Sequence, residues 1–220
     1  MQGELFDGPQ NETIKLKDGA FLFKAFALQH DKTLLAAIDT IAQTSPFRQM
    51  MTPWGRKMSV AMTNCGKGGW ISEKQGYRYS GLDPLTKKAW PELPECFLSL
   101  ATSAAHEAGF LDFLPNACLI NKYAVGSRMG LHQDKDEGDF SQPIVSVSLG
   151  LPAKFLFGGL TRSEKPLRVM LHHGDVCVFG GPSRLAYHGI DPLKEGRHEL
   201  TDVFRYNLTF RSVQTIEQKT

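Results

Sequence analysis

His132 and Asp134 stand two residues apart, ahead of the apolar run 143–149. Residues i and i+2 of a strand point to one face. An extended segment here would therefore aim an imidazole and a carboxylate at one point. His188, 54 residues after Asp134, leaves room for several strands to bring a third ligand back across a barrel. Two His and one carboxylate hold non-heme Fe(II) and leave positions open for substrate and oxygen. The pair alone is weak evidence. With 7 His and 12 Asp in 220 residues, about 0.4 His-x-Asp pairs arise by chance. A second pair, His173-Gly174-Asp175, falls at an expected hairpin turn, where Gly and Asp have a turn role of their own.

The run Arg205-Tyr206-Asn207-Leu208-Thr209-Phe210-Arg211 adds a second chemical demand. Read as a strand, it turns Tyr206, Leu208 and Phe210 to one face and Arg205, Asn207, Thr209 and Arg211 to the other. In 119–123, Asn121 and Tyr123 likewise share a face. Polar inner faces in a small barrel need partners, since unpaired buried groups are costly. A small dicarboxylate would supply them, because Arg grips carboxylates bidentately and Asn and Tyr donate further hydrogen bonds. The alternative is an exposed sheet face whose arginines pair with Asp or Glu.

These residues need elements to position them. The chain after residue 115 is a series of short apolar or alternating runs: 117–124, 143–151, 154–157, 167–171, 175–179 and 204–211. Gly, Asp and Pro turn signals separate them, the pattern of a sandwich or barrel. Helical spacing predicts helices over about 31–43, with Asp31 as N-cap, and 94–108, with Pro94 in the first turn and Gly109 after the end. Residues 21–26 and 58–63 read as strands, and 1–20 as a loose lead-in. The expected fold is mainly β with flanking helices (α+β), a jelly-roll core with helices on one side. No repeat or linker divides the chain, so one domain over 1–220 is expected, with its core in 115–212.

Composition excludes some classes. Apolar content of 41% and charged content of 22% suit a soluble domain, and no run approaches the roughly 18 apolar residues of a membrane span. No secretory signal is visible at the N-terminus, and the four cysteines show no C-x-x-C spacing. A reducing, cytoplasmic setting is expected. The net charge of +2 says little, but its distribution says more. Residues 48–90 hold eight basic and two acidic residues and all three tryptophans, with Tyr77 and Tyr79. Cations interleaved with rings suit a flipped or single-stranded nucleotide. A solvated basic loop with anchoring aromatics is the plainer alternative.

Taken in order, 121–123, 132–137, His188 and 205–211 resemble the AlkB family of Fe(II)- and 2-oxoglutarate-dependent dioxygenases. The likeness extends through 45–50, 58–66 and 144–151, covers about residues 20–211, and is to bacterial members. It implies a double-stranded β-helix core, with residues 48–90 as a nucleotide-recognition lid. It implies direct-reversal DNA repair: oxidative demethylation of bases such as 1-methyladenine and 3-methylcytosine in single- or double-stranded DNA, with RNA a further candidate, by a monomer that uses O2 and releases succinate, CO2 and formaldehyde. By position, it assigns Fe(II) to His132, Asp134 and His188, and 2-oxoglutarate to Asn121, Tyr123, Arg205, Asn207 and Arg211. Trp70 would stack on the flipped base, with His132 on its other side. Asp136 would meet the exocyclic amine, and Tyr77, Arg78 and Tyr79 the nucleotide backbone. Arg162 matches a further substrate contact. Trp54-Gly55-Arg56, Phe179 and Arg128-Met129-Gly130 depart from the family pattern but leave the metal and cosubstrate residues intact. The rival readings are an oxygenase of the same kind acting on another substrate, and a non-enzymatic jelly-roll module.

Overall fold

The computed structural model describes residues 12–214 and 216; the N-terminal part of the expected lead-in lies outside them. In chain order the elements are β1 (Thr13–Lys17), β2 (Ala20–Phe23), α1 (Asp31–Thr44), β3 (Ala61–Gly66), β4 (Gly69–Glu73), β5 (Gly76–Ser80) and α2 (Glu95–Glu107). There follow β6 (Ala117–Tyr123), β7 (Met129–His132), β8 (Ile144–Gly150), β9 (Ala153–Phe157), β10 (Leu167–Leu171), β11 (Val176–Phe179), β12 (His188–Ile190) and β13 (Arg205–Arg211).

The strands form two main sheets. The larger runs β1-β2-β11-β8-β13-β6-β3, the smaller β10-β9-β12-β7, and every pairing between named strands is antiparallel. From β6 onward the chain crosses between the sheets at every step except the β9–β10 hairpin, placing four strands in each. That is the expected double-stranded β-helix, closed over 117–211.

Period-two alternation builds two apolar layers at once. From β13, Leu208 and Phe210 pack with Val145 and Val147 of β8 and Val176 and Val178 of β11 against α1 and α2. Phe97 of α2 meets Phe210 edge-on, with ring centroids 5.6 Å apart. The opposite faces of β8 and β11, with Ile144, Cys177 and Phe179, and Leu119 of β6 close on Phe155, Phe157 and Ile190 of the smaller sheet. Each fully buried side chain of this kind contributes roughly 1.5–3 kcal/mol. Both helices thus cover the outer face of the larger sheet, as expected, and its inner face looks into the barrel.

Several boundaries differ from expectation for local reasons. Residues 13–17, within the expected lead-in, form β1, whose partner β2 extends the larger sheet. The strand expected over 21–26 stops at Phe23; Ala25 turns with φ +59°, and Asp175 accepts its N–H at 3.0 Å. Asp31 is the first residue inside α1, not its N-cap, because a 3₁₀ turn over 28–30 runs directly into the helix. Its carboxylate instead faces His173 Nε2 at 3.1 Å. Pro94 sits one position before α2, and Gly109 follows its end with φ +87°.

His173-Gly174-Asp175 is not a hairpin turn. It carries the chain from β10 in the smaller sheet to β11 in the larger. Gly174 has φ +83°, and a Cβ there would lie 2.6 Å from Leu28 Cδ2. Asp175 accepts the N–H groups of Ala25 and His172 and pairs with Lys24. This second His-x-Asp pair holds a corner together.

Candidate metal and cosubstrate site

The register of β7 and β12 assembles the first pair of candidate ligands. His132 closes β7, His188 opens β12, and the two are direct antiparallel partners. Their ring centroids lie 4.4 Å apart. His132 Nδ1 sits 2.9 Å from the Gly130 carbonyl and His188 Nδ1 3.0 Å from that of Ala186. With the proton on Nδ1 in both rings, each Nε2 lone pair is free and aimed at a common point. Asp134 supplies the third group, with 3.6 Å from Oδ1 to His132 Nε2 and 3.9 Å from Oδ2 to His188 Nε2. Among the described residues no other trio of His, Cys, Asp or Glu brings its ligand atoms together this way; here they lie within 4.8 Å of one another.

Strand alternation does not place Asp134, because β7 ends at His132. The loop is pinned from elsewhere. Gln133 Nε2 donates to the Leu185 carbonyl at 2.6 Å, and Arg184 Nη1 to the Asp134 carbonyl at 2.7 Å. Arg184 also donates to the Gln142 carbonyl and, at 3.1 Å, to Glu137 Oε2. Glu137 Oε1 accepts from Tyr79 at 2.9 Å and lies 3.3 Å from Arg211 Nε. Arg211 Nη2 reaches Asp134 Oδ2 at 2.6 Å. Tyr79, Asp134, Glu137, Arg184 and Arg211 are all buried.

This hub sets the protonation states. Burial pushes the Asp134 carboxyl up, but Arg211, with His188 and His132, overrides it and holds the group below the usual carboxylate range. Burial, with His132 beside it, lowers His188 to about 4. The ring is neutral at pH 7, the state a metal ligand requires.

The second demand is met on the larger sheet. Arg205, Asn207, Thr209 and Arg211 share one cavity with Asn121 and Tyr123, and with His132, Asp134 and His188. Cross-strand register sets Arg205 opposite Tyr123 and Asn207 opposite Asn121. Arg205 is 1% exposed, and its Nη2 donates to Ser148 Oγ at 3.0 Å. Its Nε and Nη1, with Arg211 Nη1 and Asn121 Oδ1, are buried without a partner. Burial lowers the Arg205 pKa, against Tyr123. Three of the four orphaned atoms are donors on guanidinium groups, so the cavity is short of an anion. A keto-dicarboxylate beside the His–Asp–His cluster fits that donor set. Asn207 departs from its expected role. Its amide nitrogen is taken by Ser146 Oγ and the Val147 carbonyl, and its oxygen by Asn121 and Thr209, so it holds its neighbours and has no bond to spare.

The lid carries the remaining expected contacts. The side-chain amide of Asn64 brackets the backbone of Trp70, accepting its N–H at 3.0 Å and donating to its carbonyl at 3.1 Å. Trp70 Nε1 donates to Asp136 Oδ2 at 2.8 Å, and its ring stacks on Tyr77 at 5.2 Å. Trp70 and Asp136, 66 residues apart, are thus one unit. Arg78 pairs with Glu73 at 3.1 Å. Tyr79 does not stand with Tyr77: it is 4% exposed and its hydroxyl serves Glu137. A buried phenol bonded inward is not available to a nucleotide backbone. Trp90 is also core, with Nε1 on the Ser80 carbonyl at 2.8 Å. Arg162 is exposed in the β9–β10 loop and does not line the cavity. Sequence reasoning missed Asn64, Glu137 and Arg184.

A family model described as the 2OG-Fe(II) oxygenase superfamily matches residues 19–211. The chain belongs to that superfamily. It is 57% identical to the alpha-ketoglutarate-dependent dioxygenase AlkB of Escherichia coli, over 94% of this chain and 96% of that one. It is 33% identical to an Arabidopsis thaliana protein named DNA N(6)-methyladenine demethylase ALKBH1D, over 71% of this chain and 40% of that one. A solved structure titled "The structure of OsALKBH1" superposes with a TM-score of 0.76 at 30% identity, covering 91% of this chain and all of the other. The protein is therefore an oxygenase whose cofactors are Fe(II), 2-oxoglutarate and O2.

Proposed function

We propose that this oxygenase repairs alkylated nucleic acid by oxidative demethylation, with 1-methyladenine and 3-methylcytosine in DNA as substrates and RNA as a second polymer. The observation that carries the reading is the Trp70–Asp136 hydrogen bond, which ties an aromatic, basic lid to the loop that carries Asp134. Methylation of those bases leaves a positive charge on the ring. The face of Trp70 and the carboxylate of Asp136 both favour a cation. Methylation also weakens pairing, so such a base is cheaper to flip out of a duplex. The E. coli relative is named as a dioxygenase with the same cosubstrate, and the Arabidopsis one as a DNA demethylase.

In this reading His132, Asp134 and His188 hold the iron. Asn121, Tyr123, Arg205 and Arg211 hold 2-oxoglutarate, with Asn207 fixing Asn121. Together the bound iron and keto acid supply the oxidising power: 2-oxoglutarate and O2 become succinate and CO2, and the methyl carbon leaves as formaldehyde. The protein's own part is orientation and dryness. Arg205 and Arg211 neutralise carboxylates in a pocket walled by Leu119, Met129, Phe155, Leu171, Phe179 and Ile190. Hub contacts through Arg184 and Glu137 keep Asp134 in place, and Trp70 with Tyr77 forms the surface against which the base lies. The lid spans 48–90 and the core 115–212 of a single domain. We read the enzyme as a cytoplasmic monomer; no described helix is long and apolar enough to cross a membrane, and its four cysteines are free.

The test is turnover of 3-methylcytosine in single-stranded DNA with Fe(II) and 2-oxoglutarate. Formaldehyde and succinate should appear in equal amounts, and Asp134→Ala should abolish both. Succinate without formaldehyde across a panel of methylated DNA and RNA strands would transfer the chemistry to another substrate class.

A further inference from the structure

Trp54 is 79% exposed, the most exposed of the large apolar side chains among the described residues. It sits at the tip of a narrow arm. Met58 N–H donates to the Met50 carbonyl at 2.9 Å, and Thr52 N–H to that of Arg56 at 2.8 Å. Thr52–Gly55 form the turn, closed by Gly55 N–H on the Thr52 carbonyl at 2.9 Å, with Pro53 in its second position. Gly55 has φ +76°, and a Cβ there would meet nothing within 4 Å. A tryptophan offered to water at the end of a tight turn adds nothing to the core, and large exposed aromatics of this kind mark contact sites.

The arm is fixed at both ends to the site. On one side Ser72 Oγ donates to the Met51 carbonyl at 2.6 Å. Ser72 faces Tyr77 across the β4–β5 ladder, and Tyr77 stacks on Trp70. On the other side Ser59 is bonded to Arg128 in both directions and to Ser127, immediately before the strand that ends in His132. Two residues separate Met51 from Trp54, so the tip lies at most about 10 Å from the anchored end. That spans two or three stacked nucleotides at roughly 3.4 Å each. The arm is also uniformly basic. Arg56 and Lys57 flank the tip, no Asp or Glu occurs between Arg48 and Glu73, and neither Arg56 nor Lys57 forms an ion pair among the described residues.

We infer that Trp54 is a second base-stacking platform. It takes an unflipped base of the same single strand, a few nucleotides from the damaged base that enters the cavity, while Arg56 and Lys57 meet the phosphates between them. The inference rests on the nucleic-acid reading above. A rigid aromatic between cations, with no groove and no acidic rim, suits the π-face of a base of any sequence. It would set a minimum strand length for tight binding without adding a lesion preference.

The experiment measures affinity of the anaerobic Fe(II)–2-oxoglutarate enzyme for a labelled strand of about ten nucleotides carrying one 3-methylcytosine. Trp54→Ala should raise the Kd about tenfold, within the range for loss of one base–aromatic stack. Trp54→Phe should recover most of it. The 2-oxoglutarate KM should not move. Abasic substitutions walked outward from the lesion should cancel the Trp54→Ala effect at one position, which gives the register. Arg56→Ser and Lys57→Ser should each flatten the salt dependence of binding, whereas Trp54→Ala should not. A Kd within twofold of wild type for Trp54→Ala, or a self-association in sedimentation that Trp54→Ala abolishes, overturns the inference and leaves the demethylase reading standing. Failure of the wild-type enzyme to bind or demethylate any methylated strand overturns both.

Discussion

Two buried arginines, Arg184 and Arg205, sit in environments that are finished differently. Around the loop 134–137, every nitrogen of Arg184 has a partner: carbonyls of Asp134 and Gln142 and the carboxylate of Glu137 each accept a bond. At the far end of β13, Arg205 has one bond, to Ser148, and two buried nitrogens with none. Both guanidiniums are almost wholly out of water. A protein that can partner every nitrogen of one buried arginine has a reason to leave two nitrogens of the other without one. The completed environment is architecture, and the incomplete one is short of an acceptor, which is what the proposed cosubstrate role requires.

Removing each arginine should separate the two roles. Arg184→Met strips three contacts from the loop carrying Asp134 and leaves Glu137 short of a cation. Breaking a buried pair from one side costs roughly 3–5 kcal/mol. The variant should lose stability of that order in denaturant titration of the metal-free protein, and weaken Mn(II) binding alongside. Stability equal to wild type would dissolve the contrast.

Arg205→Met should do the opposite. Without cosubstrate the guanidinium is a buried charge with unmet donors, so the metal-free variant should be at least as stable as wild type. Its 2-oxoglutarate KM should rise by about two orders of magnitude, as for loss of a buried charged contact worth about 2–5 kcal/mol. Succinate formation against 2-oxoglutarate concentration gives the KM, and a thermal scan the stability. An unchanged KM would make Arg205 structural.

The same contrast explains what could be read in advance. The Arg205–Arg211 face was legible because a strand has period two, and a one-residue slip would put Leu208 and Phe210 into the cavity. The two histidines were legible as residue types, and the pairing register of β7 and β12 turned them into neighbours. Glu137, Arg184 and Asn64 were not legible. Each acts through partners 6 to 74 residues away, and nothing in local spacing tells a hub carboxylate from a solvated one. Tyr79 was misplaced for the same reason. In 77–79, alternation puts Tyr77 and Tyr79 on one side of β5, yet Tyr77 is exposed and Tyr79 is covered by Ala117 and Val213. In the lid, irregular packing decides what alternation decides in the barrel.

The smallest effect tests how dry the metal end of the cavity is. His188 faces Phe155 and Phe179, with His132 and Asp134 alongside and Arg211 behind them. Burial and His132 hold its pKa at about 4, below the ordinary value of 6.5. Between those values the unfolded chain binds a proton that the folded chain refuses. The His188 contribution to stability is therefore complete above about pH 6.5 and is lost as pH falls toward 4. From pH 7 to pH 5 the metal-free protein should lose about 2 kcal/mol through this residue. Other groups titrate in the same window, so the measured quantity is a difference. Wild type and His188→Gln are unfolded in urea at both pH values, and the pH-dependent loss should be smaller in the variant by that amount. Parallel losses in the two proteins would mean that water reaches the imidazole in the folded state and that the cavity wall around it is open.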